Sequence, residues 1–247
     1  MSVRSGLLAC GVPASIARAE APRAERAMVE RGITTQNEAA AFLAQVLHES
    51  VRLRYFEEIA SGAAYEGRRD LGNTHPGDGV RYKGRGPIQL TGRANYRAAG
   101  RALGLPLETH PTLAARHDIG WRIAAWFWQT HGLSQFANGT QGGFDQITRR
   151  INGGFNGKVS RDALWRAVKR VDVRPVDPFR DFTPSELRWI REYDKLKRAN
   201  RDKARREVLR RVMTEQRKRV WRSAQPPGSW DHANRRARYA SLLARTS

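Results

Sequence analysis

The sequence predicts a mainly α-helical domain with a minor hairpin among its loops, followed by a basic helical C-terminal segment. Three observations carry this expectation. Apolar residues recur at helical spacing in several separate stretches, glycine-rich loops separate those stretches, and the composition changes abruptly near Val173. Residues 1–173 hold 24 basic and 15 acidic residues, whereas the much shorter 174–247 holds 21 and nine.

The first helix is expected over Ala17 to Arg31, ending near Gly32. Thr35 and Glu38 have the spacing of a capping box, in which each side chain satisfies a backbone N–H of the other end. The helix it opens places Ala39, Phe42, Leu43, Val46 and Leu47 on one apolar face. From Gly72 to Gly86 the pattern has little periodicity, which suits loops with room for a small hairpin. Thr91 is placed to cap a helix over Gly92 to Leu103. Ile119 to Gln129 is apolar almost all round, through Trp121, Ile123, Trp126, Phe127 and Trp128, so it reads as a buried central helix. A further helix enters the loop Asn152–Gly157, and another is expected over Ser160 to Val171. The proposed division is a domain over 1–173, a linker over 174–184 with Pro175, Pro178 and Pro184, a basic helical segment over 185–224, and a basic tail over 225–247. Thr183, Pro184 and Glu186 mark the start of the basic segment's first helix, and Asn200 to Asp202 would turn it into a hairpin.

Composition excludes several classes. No stretch reaches the roughly 18 uninterrupted apolar residues of a bilayer span. Gly6 to Ile16 is mildly apolar, but Gly11, Pro13 and Ser15 interrupt it and no cleavage site follows, so it is read as the start of the fold and not as a signal peptide. The lone Cys10 rules out an intramolecular disulfide framework. His48, His75, His110, His117, His131 and His232 form no metal-binding spacing, so no metal is expected. Gly84 and Gly86 lack the strand-to-helix setting and the Lys-Ser/Thr of a phosphate loop. The net charge of +21 implies attraction to a polyanion.

Glycosidic cleavage commonly uses two carboxyl groups, one protonated and one ionised, on either side of the bond. An apolar surround raises the pKa of the acid. Glu49 lies on the edge of the apolar stripe formed by Phe42 and Val46, so it fits that role; a surface glutamate in a last helical turn is the plainer alternative.

The motifs His48-Glu49-Ser50, Tyr65-Glu66-Gly67-Arg68, Leu71-Gly72-Asn73-Thr74, Gly77-Asp78-Gly79 and Tyr82 through Arg93, with Asn95-Tyr96 and Ile151-Asn152-Gly153-Gly154, resemble the family-19 glycoside hydrolases. That family comprises the plant-type chitinases and their phage endolysin relatives, and the present motifs resemble the endolysin branch more. The likeness runs from about Ala40 to Val171. It implies a lysozyme-like fold, mostly helical with a minor hairpin, and inverting hydrolysis of β-1,4 bonds between N-acetylated sugars, with no metal or cofactor.

Carried over by position, the resemblance makes Glu49 the general acid and Glu58 the base that activates water. Gln89, Thr91, Asn95 and Asn152 match polar residues that hold the sugar and the water, and Arg161 matches an arginine that orients the acid. Tyr65 and Tyr82 are candidates for stacking on sugar rings, with packing in a loop as the equal alternative. On one straight helix Glu49 and Glu58 would stand about 13 Å apart along the axis and on opposite faces. An inverting pair needs roughly 6.5–9.5 Å, so the helix must end near Ser50 and the chain must turn back. Family members usually have two glycines there; this chain has Val51 and Arg52. Glu57 and Glu66 are the alternative second carboxylates. Asn156 also departs from the plant chitinases, which carry a glutamate at that position.

Peptidoglycan glycan strands are therefore the expected partner, with chitin as the variant. Two function classes stay open: an active endolysin, and a wall-binding or virion-associated protein with little turnover. The basic 185–247 region is either a solvated charged face or a holdfast for anionic wall polymers or anionic lipid; nucleic acid ranks last, because no binding motif is present. The expected location is the host bacterial cytoplasm until lysis, then the cell wall. The sequence fixes no oligomeric state.

Overall fold

A computed structural model of the chain describes residues 2–175. The expected basic helical segment over 185–224, the tail over 225–247 and nearly all of the 174–184 linker lie outside the described residues.

The chain opens with two helices where one was expected. Helix α1 spans Val3–Ala9 and stops at Gly11, whose positive φ of 75° turns the chain before Pro13. Helix α2 spans Ala14–Glu30 and buries Ala17, Ala21, Ala24 and Met28, a stripe at helical spacing. Helix α3, Gln36–Glu49, begins with the expected capping box: Glu38 N donates to Thr35 Oγ1 and Thr35 N donates to Glu38 Oε2. Every residue of α3 from Ala39 to Leu47 is buried, because α1 and two later helices, α7 (Gln141–Asn152) and α8 (Lys158–Lys169), all pack against it.

Between α3 and the next long helix the chain forms loops, two 3-10 turns (Ala63–Tyr65 and Arg69–Leu71) and a four-residue helix α4, Asp78–Arg81. The expected hairpin is reduced to two isolated antiparallel bridges, Glu57 to Arg85 and Arg85 to Leu90. Arg85 is paired twice, so this residue ties the loops together. Helix α5, Arg93–Leu103, is capped by Gly92 and not by Thr91. The Thr91 hydroxyl instead donates to Gln89 O, while Asn73 Oδ1 accepts the orphan N–H of Arg93 at 2.8 Å. A distant asparagine does the capping that local sequence assigned to a threonine.

Helix α6, His117–Thr130, is the buried helix expected from its composition. Trp121 and Trp128 are buried and flank Phe42 of α3, with ring centroids 6.1 and 5.6 Å away. Burying such a phenylalanine contributes about 1.5–3 kcal/mol. The buried carboxylate of Glu20 on α2 accepts from Trp121 Nε1 and pairs with His117 and Arg23, which holds α2 against α6 without an uncompensated charge. Helices α7, Gln141–Asn152, and α8, Lys158–Lys169, are joined by the Gly153–Gly157 loop and by Phe144 stacked on Trp165 at 4.5 Å. Past α8, Val173 is buried, and Gln36 clamps this stretch by accepting from Val173 N and donating to Val171 O.

Candidate active site

The candidate residues fall into two clusters, joined by a short left-handed turn. The first cluster gathers at the C-terminal end of α3. Glu49 Oε1 accepts from Arg161 Nη2 of α8 at 2.5 Å, and Glu49 keeps about a fifth of its side-chain surface exposed. Arg161 is itself buried, and its other nitrogens donate to Gln45 Oε1 and to Asn156 O. Asn152 Nδ2 donates to the same Asn156 carbonyl at 3.2 Å. The apolar stripe expected to surround Glu49 is therefore only part of its setting: a guanidinium faces the carboxylate directly. His48, the preceding residue, hydrogen-bonds Ser160 Oγ and lies under Gly157. Burial and the Arg161 charge hold its imidazole below the ordinary value, with Glu49 opposing them.

The second cluster gathers around Gly84. Glu58 accepts from Tyr65 OH at 3.0 Å on one oxygen and from Gly84 N at 2.9 Å on the other. Burial, and then the Glu58 carboxylate beside it, push the Tyr65 phenol above its usual range. A methyl group built on Gly84 would lie 2.7 Å from Gln89 Oε1, 3.1 Å from Glu58 Oε2 and 3.4 Å from Thr91 Oγ1. Three of the expected polar groups thus converge on one point, and only a glycine leaves room there. Gln89 adopts a positive φ of 55°, a conformation non-glycine residues rarely take, while its amide donates to Gly86 O. Asn95, on the first turn of α5, donates to Thr91 O and is exposed.

The chain does turn back after α3. Val51, Arg52 and Leu53 all have positive φ, at 49°, 56° and 63°. This left-handed stretch occupies the place where the resemblance led us to expect glycines, and it costs roughly 1–2 kcal/mol per residue. Ser50 offsets part of that cost. Fully buried, its hydroxyl donates to Val46 O and accepts from Leu53 N, while Arg52 Nε donates to Cys10 O. Burial also raises the Cys10 thiol to about 11, so it stays protonated near neutrality.

The alternative carboxylates have other work. Glu57 pairs with Lys83 and with the buried Arg85. Glu66 uses both oxygens to accept backbone N–H groups, from Gly77 and Gly79, and so shapes the loop ahead of α4. Tyr82 requires a correction: it is buried, its ring packs against Tyr96, and its hydroxyl donates to Glu108 O, so it is a packing residue with no face for a sugar. Sequence reasoning missed Gln45 and Thr148, which bond each other in the interior. The available signal was a lone amide within the apolar run from Phe42 to Leu47.

Residues 15–137 match the chitinase class I model of glycoside hydrolase family 19. Asn152 and Arg161 lie beyond the matched range. An endochitinase of Arabidopsis thaliana is 41% identical over 133 residues, which is 53% of this chain and 44% of that protein. A glycosyl hydrolase family 19 domain-containing protein of Haemophilus influenzae is 36% identical over 115 residues, 47% of this chain and 54% of the other. The chain spans about half the length of these relatives. Among solved structures, chitinase C of Streptomyces griseus HUT6037 aligns at TM-score 0.45 and 29% identity, covering 57% of this chain and 76% of that one.

Proposed function

This chain carries a glycoside hydrolase family 19 domain, and from that premise we propose that it hydrolyses β-1,4 bonds in bacterial peptidoglycan as a phage-type endolysin. Glu49 is the proton donor to the leaving oxygen. Arg161 orients it through Oε1, and the other carboxyl oxygen has no hydrogen-bond partner among the described residues, which leaves it to meet the scissile bond. Glu58 is the base. With Tyr65 OH and Gly84 N–H each occupying one lone pair, its carboxylate is fixed in place and still has lone pairs to accept a proton from water. Gln89 and Thr91 beside it are the groups that would hold that water and an N-acetyl group. The observation that carries this reading is the convergence of Glu58, Gln89 and Thr91 on Gly84, with Glu58 following five residues after the left-handed turn at the end of Glu49's helix.

The substrate is assigned as peptidoglycan from the endolysin-like motifs, cut between N-acetylmuramic acid and N-acetylglucosamine. The dense positive charge of 185–247 supports that choice, because wall-bound phosphate polymers would retain a basic segment at the insoluble substrate and raise the local sugar concentration. On this reading the protein waits in the host cytoplasm and reaches the wall at lysis. Chitin is the second reading, favoured by relatives that are named endochitinases. The test is a digest of purified peptidoglycan and of chitin, reduced with borohydride and analysed by mass spectrometry, for wild type and Glu49→Gln. Reduced muramic acid ends from wild type alone are expected. Ends from chitin alone would replace the substrate, and no ends from either polymer would leave a binding protein.

A further inference from the structure

We infer that Gln45 is a positioning residue for the proton donor, holding the Arg161 guanidinium in the plane from which it meets Glu49, with Thr148 fixing the orientation of the Gln45 amide. The inference rests on the reading of Glu49 as that donor. Gln45 lies one helical turn before Glu49 on α3, and its side chain is fully buried in the stretch packed against α7 and α8. An amide buried among apolar groups is costly unless both of its ends are bonded. Here both are. The amide oxygen accepts from Arg161 Nη1, and the amide nitrogen donates to Thr148 Oγ1 at 2.8 Å.

The chemistry allows only one orientation. A guanidinium has donors and no acceptor, so Gln45 must turn its oxygen towards Arg161 and its NH2 away from it. The NH2 then needs an acceptor in the interior, which the buried Thr148 hydroxyl supplies. Arg161 is planar, and its three nitrogens are committed to three partners: Gln45, the Asn156 carbonyl and Glu49. Two of those partners, Gln45 and Asn156 O, are not acids. They set the plane, and Glu49 meets the nitrogen that remains. Without the Gln45 oxygen the guanidinium keeps one neutral anchor instead of two and can swing about it. Among the described residues, the charged groups beside Glu49 include Arg161 from α8 and, once protonated, His48 next to it on α3.

The test compares kcat, KM and the pH profile of kcat/KM for wild type, Gln45→Met, Thr148→Val and Thr148→Ser, using whichever glycan wild type cleaves. For Gln45→Met we expect kcat to fall about tenfold to a hundredfold, the scale of a small misplacement of a catalytic group, with KM changed less than about twofold. The pH limb that belongs to the proton donor should move with it. Thr148→Val should shift both in the same direction by less, and Thr148→Ser, which keeps the hydroxyl, should restore them. A folded Gln45→Met protein with wild-type kcat and pH profile would overturn the inference. Should Gln45→Met fail to fold, the pair at 148 decides: equal kcat and pH profiles for valine and serine overturn it, and a defect confined to valine supports it. A wild type that cleaves no glycan removes the hydrolase reading and this inference together, an outcome distinct from an active wild type indifferent to Gln45.

Discussion

Glu49 and Glu58 stand nine residues apart in the chain, yet they are held in opposite ways. Glu49 ends a buried helix and is fixed by a side chain from far away in sequence, Arg161, which is held in turn by the Asn156 carbonyl and by Gln45 of Glu49's own helix, with Thr148 behind Gln45. Glu58 sits on a loop and is fixed by a nearby tyrosine and a backbone N–H. The helical side is a closed polar network inside an apolar core, where a lost partner leaves a buried charge or dipole unpaired. The loop side is a crowded backbone crossing, where space is the constraint. Mutations on the two sides should therefore fail differently, the first in stability and activity together, the second in activity alone.

The largest difference is expected at Arg161→Met. Removing one partner of a buried ion pair costs roughly 3–5 kcal/mol, and the partial exposure of Glu49 puts this case near the lower end. Thermal unfolding should show a drop of several degrees or more, alongside a collapse of kcat; a protein that loses activity with an unchanged melting temperature would break the contrast. Gly84→Ala on the loop side should do the reverse. Its new methyl would press on Gln89, Glu58 and Thr91, so kcat should fall about tenfold or more while melting shifts by little.

A smaller effect is expected in the turn between the two clusters. Val51 is β-branched, about half exposed and held at positive φ, so Val51→Gly should stabilise the fold by about 1 kcal/mol, after the entropy of the added glycine is counted. Denaturant unfolding measures this directly, and a destabilised Val51→Gly would mean that the side chain contributes packing that outweighs the strain. The smallest effect is expected at Glu108, whose ion pairs lie near the surface and are screened by solvent. Glu108 is held at about 2 by its hydrogen bond to Arg97 and then by Arg93, against the usual 4.5. A lowered folded-state pKa stabilises above the ordinary value and is lost as pH falls through the folded one. Glu108→Gln should accordingly be less stable than wild type at pH 6, and the two unfolding curves should converge as pH approaches 2.

The same contrast explains what was legible in the sequence. Helix α3 could be read from the period of its apolar residues and α6 from an apolar run that goes almost all round, and the Thr35–Glu38 box marks a start by local chemistry alone. Glu49 could be placed at the end of its helix for the same reason. Arg161 was reached only through the family resemblance, and Gln45 and Thr148 were not reached at all, because nothing local ties Gln45 to Thr148 or to Arg161, more than a hundred residues later. On the loop side, Thr91 was given a cap role that Asn73 fills from outside, and for Tyr82 sugar stacking and loop packing stood as equals until its burial and its bond to the Glu108 carbonyl decided for packing. The turn at Val51–Leu53 was required by geometry but not by composition: three residues that disfavour positive φ adopt it because Ser50 and Arg52 bind the surrounding backbone.

The most direct test of Glu49 and Glu58 as an inverting pair is the anomer first released by wild type, read by proton NMR in the opening minutes of glycan digestion before mutarotation. Release of the α-anomer from a β-1,4 bond is the expected result, since a water placed by Glu58 attacks from the face opposite the leaving oxygen. Release of the β-anomer would contradict it, and would mean that the sugar is retained through a second displacement in which Glu58 is not the base.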